Sequence, residues 1–150
     1  MTLAVGDTAP DFTLISNHRE PVSRDSLLGR KSLIVFIPFA FTGTCTGEVC
    51  ELQENLGELG ELGAQVVVIT CNTVAANAAW AKAEGLDFPI LSDFWPHGAV
   101  SKAYGTFNDQ LGCAMRWTFV VGEDGVITEV FKTEDLRTPR PYQEYVGALS

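Results

Sequence analysis

Residues 32–50, Ser-Leu-Ile-Val-Phe-Ile-Pro-Phe-Ala-Phe-Thr-Gly-Thr-Cys-Thr-Gly-Glu-Val-Cys, decide how this chain folds. Ser32 to Ile37 is an unbroken run rich in apolar and β-branched residues. A strand apolar at every position buries both faces, as strands inside a parallel sheet do. Pro38 stops the run, because proline has no N–H to give a sheet ladder. Phe39 to Gly43 then forms a loop, and Gly43 or Thr44 opens a helix that carries Cys45, Glu48 and Cys50. A cysteine in the first turn of a helix, just past the carboxyl end of a strand, is placed for reaction. The unpaired N–H groups and the positive end of the dipole favour thiolate over thiol. Position alone leaves a second reading of Cys45 open, that of a small buried apolar residue.

Working outward, the helix runs from about Thr44 to Gly60, with Val49, Leu52, Leu56 and Leu59 at helical spacing toward the core. Gln65 to Thr70 is a second buried strand, so strand, helix and strand form a right-handed parallel crossover. Asn72 or Thr73 caps a helix over Val74–Glu84, and Gly85 ends it. Phe88 to Leu91 is a third strand, Ser92 to Pro96 a loop, and Gly98 to Tyr104 a short helix. Arg116–Val121 and Val126–Phe131 are strands joined by the turn Glu123-Asp124-Gly125. Thr138-Pro139 supplies a cap and first-turn proline for a final helix to about Leu149. Upstream, Phe12 to Ile15 is a strand that turns at Ser16–His18 and returns from Pro21. Asp25 or Ser26 caps a single turn closed by Gly29. Gly29-Arg30-Lys31-Ser32 mimics the tail of a phosphate loop, but the earlier glycine is missing and a strand follows instead of a helix.

The pattern predicts an α/β chain with a mixed central sheet, helices on both faces and an N-terminal β-hairpin. At 150 residues it reads as a single domain spanning 1–150, and 46% apolar residues suffice for a full core. The net charge of −9, with ten Lys and Arg, argues against nucleic acid, whose phosphates need a basic face. The acidity serves solubility. MTLAVGDTAPDF has neither a basic n-region nor an apolar h-region, and no apolar run approaches the ~20 residues of a membrane span. These features, with four cysteines and no staple pattern, predict a cytoplasmic protein with no membrane partner.

Pro38-x-x-x-Thr42-x-x-Cys45, extended by Glu48, resembles the active-site motif of the peroxiredoxin family. The resemblance continues through WAKAEGLDFPILSDFWPHGAVSKAYG (80–105) and Arg116 to Val121, covering nearly the whole chain. The DFWPHGAVS segment is most similar to the alkyl hydroperoxide reductase E subgroup. The resemblance implies a thioredoxin-like fold and a thiol-dependent peroxidase without metal or organic cofactor. Cys45 would reduce hydrogen peroxide or an organic hydroperoxide and become a sulfenic acid. Such chemistry needs a thiolate, donors that polarise the O–O bond, and exclusion of bulk water. The Thr42 hydroxyl can touch both sulfur and peroxide, and backbone N–H groups near Thr44 and Cys45 can hold peroxide oxygens. Pro38 would shield the sulfur. The resemblance further implies that Arg116 lies beside the thiolate and that Glu48 orients an arginine through a charge-assisted pair.

Cys50 follows Cys45 at the spacing of a peroxidatic and resolving pair in the bacterioferritin-comigratory, or Q-type, peroxiredoxins. Five helical residues rise about 7.5 Å and rotate about 140°. A disulfide wants Cα atoms under ~7 Å apart. A Cys45–Cys50 bond therefore requires the first turns to unwind after oxidation; otherwise Cys50 is helix packing. Resolution falls to Cys50 or to an external reductant, a low-molecular-weight thiol or a thioredoxin- or glutaredoxin-like protein. Cys71 reads as core, and Cys113 as an exposed loop residue of structural or incidental role. Two rivals stand: a copper-binding module using Cys45, Cys50 and His97, which lacks a tight cysteine pair, and a disulfide exchanger, which would want Cys-x-x-Cys. Phe39, Phe41, Phe94 and Trp95 gather near the active-site end, as ordinary core or as the contact of a homodimer.

Overall fold

The structure, a computed structural model, describes residues 3–133 and 135–150. In chain order the strands are β1 (Thr13–Ser16), β2 (Pro21–Ser23), β3 (Lys31–Phe36), β4 (Ala64–Thr70), β5 (Ile90–Ser92), β6 (Phe107–Asn108), β7 (Cys113–Ala114), β8 (Trp117–Val121) and β9 (Ile127–Lys132). The helices are α1 (Gly43–Glu54), α2 (Leu56–Glu61), α3 (Val74–Glu84), α4 (Ala99–Ala103) and α5 (Tyr142–Leu149).

β3 lies inside a seven-stranded mixed sheet of order β2-β1-β5-β4-β3-β8-β9. It pairs parallel with β4, from Lys31↔Ala64 to Phe36↔Ile69, and antiparallel with β8. Alternation along a strand sends its side chains to opposite faces, and here both faces are covered. Leu33, Val35 and Ile37 pack with Val49 and Leu52 of α1, Leu59 of α2, Trp80 of α3, and Tyr142 and Tyr145 of α5. Ile34 and Phe36 pack with Phe12, Val100, Tyr104, Ala114 and Phe119 on the other side. This double burial explains the continuous apolar reading of residues 32–37. β1 and β2 form the expected N-terminal hairpin.

Local signals set several boundaries. The Thr73 hydroxyl accepts the Ala76 N–H at 3.1 Å, and Gly85 ends α3 at φ +65°, in the left-handed region. Three expectations need correction, and one element was not expected. The helix expected to reach Gly60 breaks at Asn55, whose φ is −106° and whose side-chain amide donates to the Glu51 carbonyl at 2.8 Å. That local bond competes with helix continuation, and Gly57 and Gly60 add little propensity beyond it. The turn Asp25–Leu27 has Arg24, not Asp25 or Ser26, at its N-cap; the Ser23 hydroxyl accepts the Ser26 N–H, and Asp25 pairs with Arg24. The last helix begins at Tyr142, not at Pro139. Arg140 precedes Pro141, and a residue before proline is pushed out of the helical region. Finally, β6 and β7 form a two-stranded hairpin that the sequence does not announce, because each is two residues long.

Candidate active site

β3 ends at the sheet's carboxyl edge, where Ile37 makes one more ladder bond, N–H to the Ile69 carbonyl at 3.0 Å. Pro38, buried, stops the ladder. The loop is tied to the end of β4 by the Ala40 N–H, which donates to Asn72 Oδ1 at 2.9 Å. Phe41 takes a left-handed backbone, φ +64°, and reverses the chain. Thr42 is the N-cap of α1 with extended dihedrals, and its hydroxyl donates to the Phe39 carbonyl at 3.1 Å. The Thr42 proton is thereby committed, leaving its oxygen lone pairs to accept an O–H.

Cys45 stands in the first turn of α1 and is fully buried. The next residue, Thr46, accepts the Trp80 indole N–H at 3.2 Å, which locks the first turn of α1 to α3. One turn on, Glu48 is also buried and lies between two guanidinium groups. Its Oε1 accepts from Arg116 Nη1 at 2.6 Å and from Arg140 Nη2 at 2.9 Å. Its Oε2 accepts from Arg140 Nε at 2.7 Å and from the Arg140 backbone N–H at 2.9 Å. Burial pushes the Glu48 carboxyl upward. The hydrogen bond and charge of Arg140, with the charge of Arg116, outweigh that and hold it below the usual range. Arg116 Nε donates to the Leu136 carbonyl at 2.7 Å, and Arg140 Nη1 reaches the Phe36 carbonyl at 2.9 Å and Thr118 at 3.1 Å. One carboxylate and two guanidiniums leave a net positive charge one turn from the Cys45 sulfur.

Thus Pro38, Thr42, Cys45, Glu48 and Arg116 gather at the carboxyl end of β3. Arg140 completes the group and escaped the sequence reading, for it sits in a Pro-Arg-Pro stretch with no periodicity to mark it. The charge demand of Glu48 was the available signal, since a carboxylate facing one buried arginine still has acceptor capacity for another.

The other cysteines are distributed differently. Cys50 is half-buried on another side of α1. Burial raises its thiol, with Glu84 at the end of α3 and Glu54 adding to the rise. The intact helix does not bring it to Cys45. Cys71 is buried at the end of β4, its sulfur 3.8 Å from the Ser101 hydroxyl. Cys113 is buried too, not exposed, on the short strand β7, where it pairs with Asn108 of β6. Burial, then the charges of Cys71 and Cys45, push its thiol up to about 11, with Arg116 opposing. The His97 ring lies between the carbonyls of Phe94 (3.0 Å) and Gly112 (2.7 Å), fastening the 108–112 turn to the loop before α4. Among the described residues no three His, Cys, Asp or Glu side chains converge as a metal site, and no helix is long and apolar enough to cross a membrane. A cavity of about 360 Å³ opens between α1 and α5, lined by Thr44, Gly47, Glu51, Arg140 and Tyr142 among others. Cys45 does not line it.

A family model described as the AhpC/TSA family matches residues 5–130. The chain is 42% identical to the alkyl hydroperoxide reductase E of Mycobacterium tuberculosis strain H37Rv, over 99% of each chain. It is 33% identical to a putative peroxiredoxin bcp of Haemophilus influenzae, over 86% of each. Among solved structures it is similar to Enterococcus faecalis AhpC, with a TM-score of 0.91 and 28% identity, covering 99% of this chain and 91% of that one. It is also similar to the peroxidoxin BcpB of Mycobacterium tuberculosis, with a TM-score of 0.84 and 30% identity, covering 97% and 93%.

Proposed function

The chain belongs to the AhpC/TSA family of peroxiredoxins, and from that premise we propose that Cys45 is its peroxide-reducing thiol. The fold is thioredoxin-like and the protein is a thiol-dependent peroxidase, an enzyme that reduces hydroperoxides at the expense of thiols. The observation that carries the assignment of Cys45 is its burial in the first turn of α1 with the Glu48–Arg116 pair one turn away.

The Cys45 sulfur attacks one oxygen of the hydroperoxide. The O–O bond breaks, the sulfur becomes a sulfenic acid, and the other oxygen leaves as alkoxide or hydroxide that takes up a proton. Thr42, its own proton given to Phe39, accepts the substrate O–H. Backbone N–H groups at the start of α1 and the Arg116 guanidinium face the charge that develops on the leaving oxygen. Glu48 fixes Arg116 in place, and Pro38 walls the sulfur from water. The sulfenic acid is reduced by an external thiol, either a small thiol or a thioredoxin- or glutaredoxin-like protein, or by a second thiol of this chain. Cys50 serves only if α1 unwinds.

A cytoplasmic setting fits this reading, because reducing conditions return Cys45 to a thiol between turnovers. We also propose a homodimer through the exposed aromatic side chains Phe39, Phe41, Phe94 and Trp95. The test of function is peroxide consumption with a thiol reductant. Cys45→Ser abolishes it, and Arg116→Lys, which loses the planar fork, lowers it by about 10²-fold. Turnover by Cys45→Ser at the wild-type rate overturns the assignment.

A further inference from the structure

We propose that Tyr145 is a positioning residue for peroxide reduction, its hydroxyl setting Thr118 and, through it, Arg140, Glu48 and Arg116. This rests on the reading of Cys45 given above.

Thr118 is a polar residue in the apolar strand β8. It is fully buried, and it pairs with Val35 of β3 and Phe131 of β9. A buried hydroxyl needs hydrogen-bond partners. The Thr118 oxygen accepts from Arg140 Nη1 at 3.1 Å and lies 2.8 Å from the Tyr145 hydroxyl oxygen of α5. A hydroxyl has one proton and two acceptor lone pairs. One lone pair is given to the guanidinium, so the proton or the other lone pair meets Tyr145. Both arrangements fix the Thr118 rotor with a lone pair toward Arg140. Without the Tyr145 hydroxyl the rotor is free to turn its proton toward the cation.

Tyr145 is itself held in place. Its ring packs edge-on against Phe131, with centroids 5.4 Å apart, and against Tyr142 at 6.4 Å. Burial pushes its hydroxyl up, outweighing Arg140 and Thr118, so the proton stays on the oxygen.

The other end of the chain of bonds is the site. Arg140 gives Glu48 two side-chain bonds and one backbone bond, and Glu48 accepts in turn from Arg116. Packing does not clamp this group on every side, because the cavity of about 360 Å³ borders Glu48, Arg140 and Tyr145. A side chain beside a void lacks contacts there, so the Arg140 guanidinium depends on its hydrogen bonds for orientation. Nη1 makes two of them, to the Phe36 carbonyl and to Thr118. Disorder at Thr118 is therefore passed to Glu48 and on to Arg116, which faces the leaving oxygen. Tyr142 provides the contrast. It lies three residues earlier on α5 and borders the same cavity, but its hydroxyl donates to Glu58 of α2 at 2.6 Å, away from both arginines.

The test measures kcat/KM for hydrogen peroxide with a thiol reductant, and the urea midpoint, in five variants. Tyr145→Phe should lower kcat/KM about fivefold, the worth of one hydrogen bond. Tyr142→Phe should move the urea midpoint alone. Thr118→Val should lose at least as much rate as Tyr145→Phe, and the double variant no more than Thr118→Val, because both changes break one chain of bonds. Thr118→Ser keeps the hydroxyl and should turn over within about twofold of wild type. A wild-type rate in Tyr145→Phe, an equal rate loss in Tyr142→Phe, or losses that multiply in the double variant overturns the proposal. The Tyr145→Phe ring keeps its packing; should that variant still not fold, equal rates in Thr118→Val and Thr118→Ser overturn it instead. Cys45→Ser separates the two readings. Turnover there fells the reading of Cys45 and this one with it, whereas an inactive Cys45→Ser beside an unimpaired Tyr145→Phe fells this one alone.

Discussion

Glu48 gives both carboxylate oxygens to arginines, one from the end of the β6–β7 hairpin and one from the stretch before α5. Removing one partner of a buried ion pair leaves uncompensated charge and is destabilising by about 3–5 kcal/mol. Glu48→Gln should therefore unfold at markedly lower urea than wild type, and the difference should depend on pH. The folded carboxyl lies below the usual range, so its stabilisation is fully present above the ordinary pKa of about 4.3 and is lost as pH falls through the lower folded value. The gap in urea midpoint should stay constant from about pH 7 to 5 and shrink progressively as pH falls below about 4. A gap as large at pH 3 as at pH 7 contradicts the charge account. This residue also marks where sequence reading stopped. Glu48 was legible as an arginine partner because it follows the motif, but Arg140 was not. Nothing local to Pro139-Arg140-Pro141 says that its side chain turns inward, for that is fixed by the neighbours it meets in the folded molecule.

At the scale of elements, what was legible is what local chemistry decides. Thr73 and Gly85 mark α3 because a hydroxyl cap and a left-handed glycine act within a few residues. β3 and β4 declare themselves by apolar runs that both faces of the sheet require. The break at Asn55 and the two-residue strands β6 and β7 depend on competing or distant partners and left weak traces. Two glycines separate local strain from packing. Gly85 and Gly98 both have positive φ, +65° and +71°. A side chain at Gly85 meets open space, whereas one at Gly98 would overlap the Phe107 ring. Gly85→Ala should cost about 1 kcal/mol with peroxide turnover retained. Gly98→Ala should cost about 2–4 kcal/mol and also slow turnover, because Phe107 opens the hairpin that carries Arg116. Equal losses in the two variants, by urea denaturation, would contradict this coupling.

Across the whole molecule, the aromatic side chains left on the surface stand out against a core that takes in nearly every other large one. Trp95 is 81% exposed and Phe41 59%. Such groups are the usual anchors of protein contacts. Replacing Phe94 and Trp95 by Ala should weaken self-association about 10–100-fold by sedimentation, and an unchanged profile would contradict the dimer. The acidic surface, net −9, works the other way, so association should strengthen with added salt as repulsion is screened. The central claim is that the chemistry begins at one sulfur at the carboxyl end of β3. It is tested most directly by the mass of reduced protein after one equivalent of hydrogen peroxide with dimedone present from the start. The prediction is one modification or disulfide per chain, located at Cys45, with Cys45→Ser unchanged in mass. Oxidation of Cys45→Ser to the same extent, or modification confined to another cysteine, would contradict it.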